Sequence, residues 1–278
     1  MKTKLATDMQ LGHWFFSAGL VALAMISLGG CASKSTADGT SANAAEIVTE
    51  SDEPEMRQRA RKRLELAVAY FEQGQTTIAL DELKQSIAVD PTYAQAYSLR
   101  GLVYMRLNDL RVADESFTKA LSLSPRDSNI RHNLGWLRCQ QARYPESFQL
   151  FAQALANPQY GERAKTFRAQ GLCQAKAGLP VEAEQSLLRS YEFDAGNPVT
   201  AYNLALLLFQ RADFGRAQFY VRRLNNSELA NAESLWLGVK VERRMNNSDA
   251  MVQLAAQLLK RFPQSAQAAA YQRKAFDE

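Results

Sequence analysis

Residues 94–127 read AQAYSLRGLVYMRLNDLRVADESFTKALSLSPRD and contain two helix-forming segments joined by a short polar turn. Small residues, Gly101 and Ala113, stand where the two helices would touch, and Phe117 supplies bulk beside them. Pro125 follows the second segment, where it would stop a helix, because a proline inside a helix costs about 3 kcal/mol. The stretch therefore predicts a helix–turn–helix unit.

The same unit recurs along the chain. The spacings between successive starts are 34, 34, 36, 34 and 33 residues, and the starts are Ala60, Ala94, Ser128, Ala164, Pro198 and Asn231. A helix–turn–helix unit of 34 residues is typical of the tetratricopeptide repeat (TPR). Position 8 of each unit is small: Ala67, Gly101, Gly135, Gly171, Ala205 and Gly238. Position 24 is bulky: Leu83, Phe117, Phe151, Leu187, Val221 and Leu254.

This periodicity predicts an all-α fold, a right-handed superhelical solenoid of six TPR repeats over residues 57–278. A capping helix is expected at 265–276, where it would close the last open face of the solenoid. Prolines support the prediction, because those of the array fall at repeat junctions or at turns between paired helices. The alternative is a plain helical bundle, which would not require this spacing.

The first thirty residues have the layout of a secretory signal. Two lysines near the start precede an uncharged run at 14–28, which is too short for a comfortable membrane span. The run ends in LGGC at 28–31, which resembles the lipobox of bacterial lipoproteins. We therefore expect residues 1–30 to be removed and Cys31 to be the lipid attachment site. The alternative is an ordinary signal peptide with a coincidental cysteine.

Residues 31–56 are predicted to be the lipid anchor and a disordered tether. From Ala32 onward the composition is rich in Ser, Thr, Ala, Asp and Glu and lacks aromatic residues. The tether carries one lysine against six acidic residues, a net charge of −5. By resemblance to enterobacterial sorting rules, Ala32 and Ser33 after the cysteine indicate the outer membrane, with the domain facing the periplasm.

The composition argues against enzyme and metal chemistry. The chain of 278 residues has two histidines and three cysteines, too few for clustered metal ligands or a disulfide framework. His132 is the one histidine beyond the signal, and no nucleophile, general-base pair or phosphate loop accompanies it. The sequence therefore predicts no enzyme activity, no cofactor and no metal.

The helical array is expected to present a concave groove lined by the first helix of each repeat. Positions 5, 9 and 12 of the TPR template face that groove. In the first three repeats they include eight candidate partner-binding residues: Leu64, Val68, Phe71, Ser98, Leu102, Met105, His132 and Trp136. Such an apolar groove is typical of a site for an extended or helical segment of a protein partner. The alternative is that individual residues among them are ordinary core.

Basic charge concentrates in the array, with 30 Lys and Arg against 22 Asp and Glu over residues 57–278. A run of five cations lies within 57–63. Nucleic-acid binding is disfavoured, because an exported protein rarely meets nucleic acid and aromatic residues for base stacking are not interleaved with the charges. A solvated helix face near acidic partner or membrane surfaces is the better interpretation.

Cys139 and Cys173 remain as an even pair if Cys31 carries lipid. They fall on the first helices of adjacent repeats, and an exported protein meets an oxidising compartment. The sequence leaves open whether they form a disulfide or remain two buried thiols.

Several stretches resemble a narrower family, the type IV pilus biogenesis and stability lipoproteins (PilF/PilW). The third repeat carries the resemblance at His132, Asn133, Leu134, Gly135, Cys139, Gln141, Arg143, Tyr144, Glu146, Phe151, Ala154, Leu155, Pro158 and Tyr160. Later parts that also resemble the family are 201–224, 232–238, and Glu242, Arg243 and Arg244.

The resemblance implies an outer-membrane pilotin, a lipoprotein that binds the secretin of the type IV pilus and promotes its localisation and multimer assembly. Protein partners and a monomeric state are expected. The alternative is a TPR lipoprotein that scaffolds other envelope machinery, such as peptidoglycan hydrolases.

Overall fold

The computed structural model describes residues 52–277, and these form thirteen α-helices without a strand. The all-α fold predicted from the repeat spacing is confirmed. The helices are α1 (Glu55–Glu72), α2 (Thr76–Val89), α3 (Ala94–Arg106), α4 (Leu110–Leu123), α5 (Ser128–Gln140), α6 (Tyr144–Leu155), α7 (Arg163–Lys176), α8 (Pro180–Phe193), α9 (Pro198–Gln210), α10 (Phe214–Asn225), α11 (Ala232–Arg244), α12 (Ser248–Arg261) and α13 (Ala266–Gln272).

The helices pair in order along the chain, and each pair contacts the next. Helices α1 and α2 form the first repeat, α3 and α4 the second, and the pattern continues through α11 and α12. The first helices of neighbouring repeats also contact one another, as α3 does α5 and α5 does α7. The core is therefore a row of clusters between neighbours, as in other repeat proteins.

Paired helices approach most closely at the small residue of position 8. A Cβ atom added at Gly101 would lie 2.6 Å from the ring of Phe117, and one at Gly171 would lie 2.7 Å from Leu187 Cγ. Phe117 is fully buried and Leu187 nearly so, so neither side chain can move into solvent. Close packing thus excludes larger residues at these positions.

Each turn between the paired helices places one residue in the left-handed region. The φ angles are +77° at Gly74, +59° at Asn108, +57° at Ala142, +76° at Gly178, +60° at Ala212 and +57° at Asn246. Only glycine adopts this region without a penalty, and asparagine tolerates it better than other residues. Ala142 and Ala212 adopt the left-handed conformation because the packed helices on either side determine the turn.

Arginines on first helices pair with carboxylates on a second helix of the same or the preceding repeat. Arg138 in α5 is buried and donates to Asp114 in α4, with Nη2 to Oδ1 at 2.9 Å. Burial raises the pKa of the Asp114 carboxyl, but the hydrogen bonds and charge of Arg138 outweigh that effect, so the pKa lies below its usual value. Arg63 donates to Glu82 within the first repeat at 3.0 Å. These pairs link α4 to α5 and α1 to α2.

A buried carboxylate joins the last two repeats. Glu242 in α11 is fully buried and accepts hydrogen bonds from Arg222 at 2.6 and 3.0 Å, from Gln218 at 2.8 Å and from Asn247 at 2.9 Å. Several donors on one carboxylate offset the cost of burying its charge.

The observed bounds of the helical array differ slightly from the predicted ones at both ends. Helix α1 begins at Glu55, two residues before the predicted boundary, and Glu53 forms a salt bridge with Arg61 at 3.4 Å. The capping helix ends at Gln272, because Lys274 adopts the left-handed region at φ +59°. The predicted signal, Cys31 and the tether up to residue 51 lie outside the described residues. None of the helices within 52–277 is long and apolar enough to cross a membrane.

We predict that Gly101→Ala destabilises the array by about 1–2 kcal/mol, because the added methyl group overpacks against the buried ring of Phe117. Gly215→Ala is the matched control, since Gly215 is also helical and an added Cβ there meets nothing within 4 Å. The control should gain up to about 1 kcal/mol from helix propensity. Thermal unfolding followed by circular dichroism measures both, and a gain at Gly101 would contradict the packing account.

Candidate partner-binding groove

The first helices of successive repeats lie side by side and form the floor of the concave groove. A cavity of about 270 Å³ opens on this face between α3, α5 and α7. Its lining combines apolar and polar residues. The apolar ones are Leu102, Trp136, Ala169 and Leu172, and the polar ones are His132, Asn133, Lys165 and Arg168. The groove therefore combines apolar contact surface with cationic groups, an arrangement suited to a peptide segment.

The first repeat contributes the most accessible of the predicted groove residues. Val68 is 37% exposed, whereas Leu64 and Phe71 are half-buried and pack against the first core cluster. Arg106 in α3 covers part of Phe71, with its guanidinium carbon 3.8 Å from the ring centroid. Leu64 and Phe71 are thus partly core and partly groove.

The predicted groove residues of the second and third repeats lie partly in the groove and partly in the interior. Leu102, Met105 and Trp136 are half-buried, and Leu102 and Trp136 line the cavity. Ser98 is 8% exposed and accepts a hydrogen bond from Asn133 at 3.2 Å. Its hydroxyl therefore belongs to the contact between α3 and α5, which corrects its predicted place on the accessible face.

His132 also lies deeper than predicted. It is 6% exposed, and its Nδ1 is 2.8 Å from the Thr166 hydroxyl of the next repeat. Burial, with smaller contributions from the charges of Lys165 and Arg168, lowers the pKa of His132 to about 3. The imidazole is consequently neutral at physiological pH and joins two repeats beneath the cavity.

Cys139 and Cys173 form a disulfide between α5 and α7, with their Cα atoms 5.8 Å apart. Both residues are buried, in a cluster that includes Trp136 on the groove side. The bond closes a loop spanning 34 positions, which limits the unfolded chain and so stabilises the fold. It therefore holds the third and fourth repeats together at the floor of the cavity.

The fourth repeat supplies further groove residues beyond the eight predicted. Lys165, Arg168 and Leu172 occupy positions 2, 5 and 9 of that repeat, and all three line the cavity. Lys165 and Arg168 form no salt bridge within residues 52–277, so their charge is available to a ligand. Lys176 lies over Trp136, its amine 5.5 Å from a ring centroid. The TPR template positions of Lys165, Arg168 and Leu172 were sufficient to predict these residues as part of the groove.

No group of three or more His, Cys, Asp or Glu residues within 52–277 could hold a metal ion. The one described histidine of the groove is buried, neutral and bonded to a hydroxyl. The arrangement supports binding by shape, apolar contact and positive charge.

Comparisons with known proteins agree with this architecture. Sequence profiles described as "TPR repeat" and "Tetratricopeptide repeat" match residues 67–108 and 94–127. The type IV pilus assembly protein PilF of Pseudomonas aeruginosa is 26% identical over 248 residues, which cover 89% of this chain and 94% of that protein. These matches relate the sequence to TPR proteins of the type IV pilus.

Two solved structures share the fold. The crystal structure of PilW, described as a widely conserved type IV pilus biogenesis factor, aligns with a TM-score of 0.71 and 29% identity over 77% of this chain and 98% of PilW. The structure of PilF from Pseudomonas aeruginosa aligns with a TM-score of 0.72 and 24% identity over 80% of this chain and 100% of that chain.

We predict that acidification weakens the fold through His132. The unfolded state binds a proton near pH 6.5, whereas the folded state does so only near pH 3, so this residue reduces stability as the pH falls between those values. His132→Gln removes the titration. Between about pH 6.5 and pH 3, the unfolding free energy of the wild type relative to this variant should therefore fall by about 1.4 kcal/mol per pH unit. Urea unfolding across this range measures it, and a constant difference would contradict the burial argument.

Proposed function

We propose that this chain, a tetratricopeptide-repeat protein similar to PilF and PilW of the type IV pilus, is a pilotin. In this role it binds the secretin subunit of the pilus and promotes delivery of the secretin to the outer membrane and its assembly into multimers. The observation that carries the proposal is the apolar and cationic groove across the first four repeats, combined with the relationship to PilF and PilW.

The groove would capture a segment of the secretin. Val68 offers an exposed apolar side chain on the first repeat, and Trp136 and Leu172 offer apolar walls further along the same face. Lys165 and Arg168 would attract acidic groups on the bound segment, since electrostatic complementarity guides association and orientation. Binding is the activity proposed, with no catalytic step.

The lipid anchor would hold the chain at the outer membrane. Acylation of Cys31 after removal of residues 1–30 would attach the chain to the outer membrane, with the repeat domain facing the periplasm. The basis is the LGGC motif at 28–31 and the apolar run before it. Since a membrane anchor raises the local concentration of a partner in the same compartment, anchoring and groove binding would act together.

We predict that Val68→Lys and Leu64→Lys each weaken binding of the purified secretin subunit about tenfold or more, because a charge replaces an apolar contact in the groove. Val252→Lys is the matched control: Val252 is 55% exposed on α12, outside the groove. Isothermal titration measures affinity, and circular dichroism verifies that each variant is folded. Equal affinity for groove and control variants would place the secretin site elsewhere.

Cys31→Ala should abolish incorporation of labelled fatty acid, because the thiol that would accept the lipid is removed. The variant should also leave the outer-membrane fraction. Fractionation after metabolic labelling measures both effects. Replacement of Ser33 by alanine serves as the control and should leave labelling intact. A labelled Cys31→Ala protein would show that the anchor lies elsewhere.

A further inference from the structure

The first repeat presents a cationic cleft at the open end of the solenoid. No repeat precedes α1 and α2 within the described residues, so no described helix covers one side of this pair. A cleft of about 480 Å³ lies there, lined by Arg59, Lys62, Arg63, Gln85, Ala88 and Val89. We call this set of six residues the cationic end.

Two of the three cations of the cationic end are unpaired within the described residues. Arg59 and Lys62 are exposed and form no salt bridge with any residue of 52–277. Arg63 is paired with Glu82 at 3.0 Å, and its side chain remains 44% exposed. Nearby, Arg57 and Arg61 are engaged with Asp90 and Glu53. The unpaired charges therefore lie on Arg59 and Lys62.

The cationic end is separate from the concave groove. At 100° per residue, Arg59 and Leu64 differ by about 140° around the axis of α1. Leu64 points toward the first core cluster and the groove, whereas Arg59 and Lys62 face the open cleft beside α2. A ligand on the cationic end would leave the groove accessible.

The cationic end also belongs to the part of the domain nearest in sequence to the proposed lipid. Helix α1 begins at Glu55, 24 positions after Cys31. A chain of that length reaches about 80 Å when fully extended, so contact between this end and the bilayer is sterically allowed. The length of chain before α1 thus permits a second attachment to the same surface.

We propose that the cationic end docks on the anionic lipid headgroups of the membrane. Phosphate groups match two unpaired cations in a cleft, and each cation near an anionic membrane surface adds about 1 kcal/mol of attraction. This second contact would orient the first repeat at the bilayer. The proposal concerns a surface distinct from the secretin groove and holds whether or not the groove binds secretin.

Charge and composition favour lipid over other occupants. A second copy bound through the same face would bring like charges together. The cleft contains no aromatic side chain for stacking with nucleic-acid bases. Its apolar lining consists of Ala88 and Val89, too little for a hydrophobic peptide.

The test uses the chain from Ala32 onward, which lacks the lipid. This form contains every residue of the described helices and their core clusters, so its repeat domain is complete. The probes are vesicles of phosphatidylglycerol mixed with phosphatidylcholine, and vesicles of phosphatidylcholine alone. Co-sedimentation at low and high salt measures binding, and circular dichroism checks the fold.

The test variant is Arg59→Glu with Lys62→Glu. The matched control is Arg126→Glu with Lys260→Glu, which changes the net charge equally at exposed cations that form no salt bridge within 52–277. We expect salt-sensitive binding of the wild type to phosphatidylglycerol vesicles only. Affinity should fall about tenfold or more in the test variant and much less in the control.

Three results would overturn the proposal. These are no binding of the wild type to phosphatidylglycerol vesicles, equal losses in test and control variants, and a wild-type dimer that the test variant abolishes. Stronger vesicle binding after removal of residues 32–51 would support it, because that segment has a net negative charge that would repel anionic headgroups. None of these outcomes depends on secretin binding, so the groove proposal can fail or succeed separately.

Discussion

The close approach of the two helices in each repeat is the constraint on which the rest of the structure depends. Gly101 lies against Phe117, Gly135 against Phe151, and Gly171 against Leu187, with distances that leave no room for a Cβ atom or barely allow one. The first and fifth repeats carry fully buried alanines, Ala67 and Ala205, at the same position. This packing holds the first helices of successive repeats on one face. The concave groove is a consequence of this packing.

Interactions between repeats then set the composition of that face. The Cys139–Cys173 disulfide, the hydrogen bond between His132 and Thr166, and the ion pair between Asp114 and Arg138 all join neighbouring repeats. These buried polar and covalent links lie in the interior of the array. Trp136, Leu172 and the cations beside them line the cavity, where a ligand could reach them. A rigid floor reduces the entropy lost when a flexible segment binds.

The spacing of small and bulky residues was sufficient to predict the fold, because contacts in a repeat protein are local in sequence. The first helices of three repeats begin at the predicted residues, Ala94, Ser128 and Pro198. The burial of Ser98 and His132 was not predictable, since it depends on polar partners supplied by the next repeat. The sequence does not determine whether the two cysteines are joined, because a separation of one repeat does not specify the distance between their Cα atoms. The left-handed backbone at Ala142 and Ala212 follows from packing and has no sequence signal.

The function that we propose for this chain is assistance to secretin assembly at the outer membrane. The most direct measurement is the amount of secretin monomer and multimer in each membrane fraction of a strain that lacks the gene for this chain. The account predicts loss of multimers from the outer membrane, with recovery when the wild-type chain is restored. Intact secretin multimers in the outer membrane of the deletion strain would contradict it.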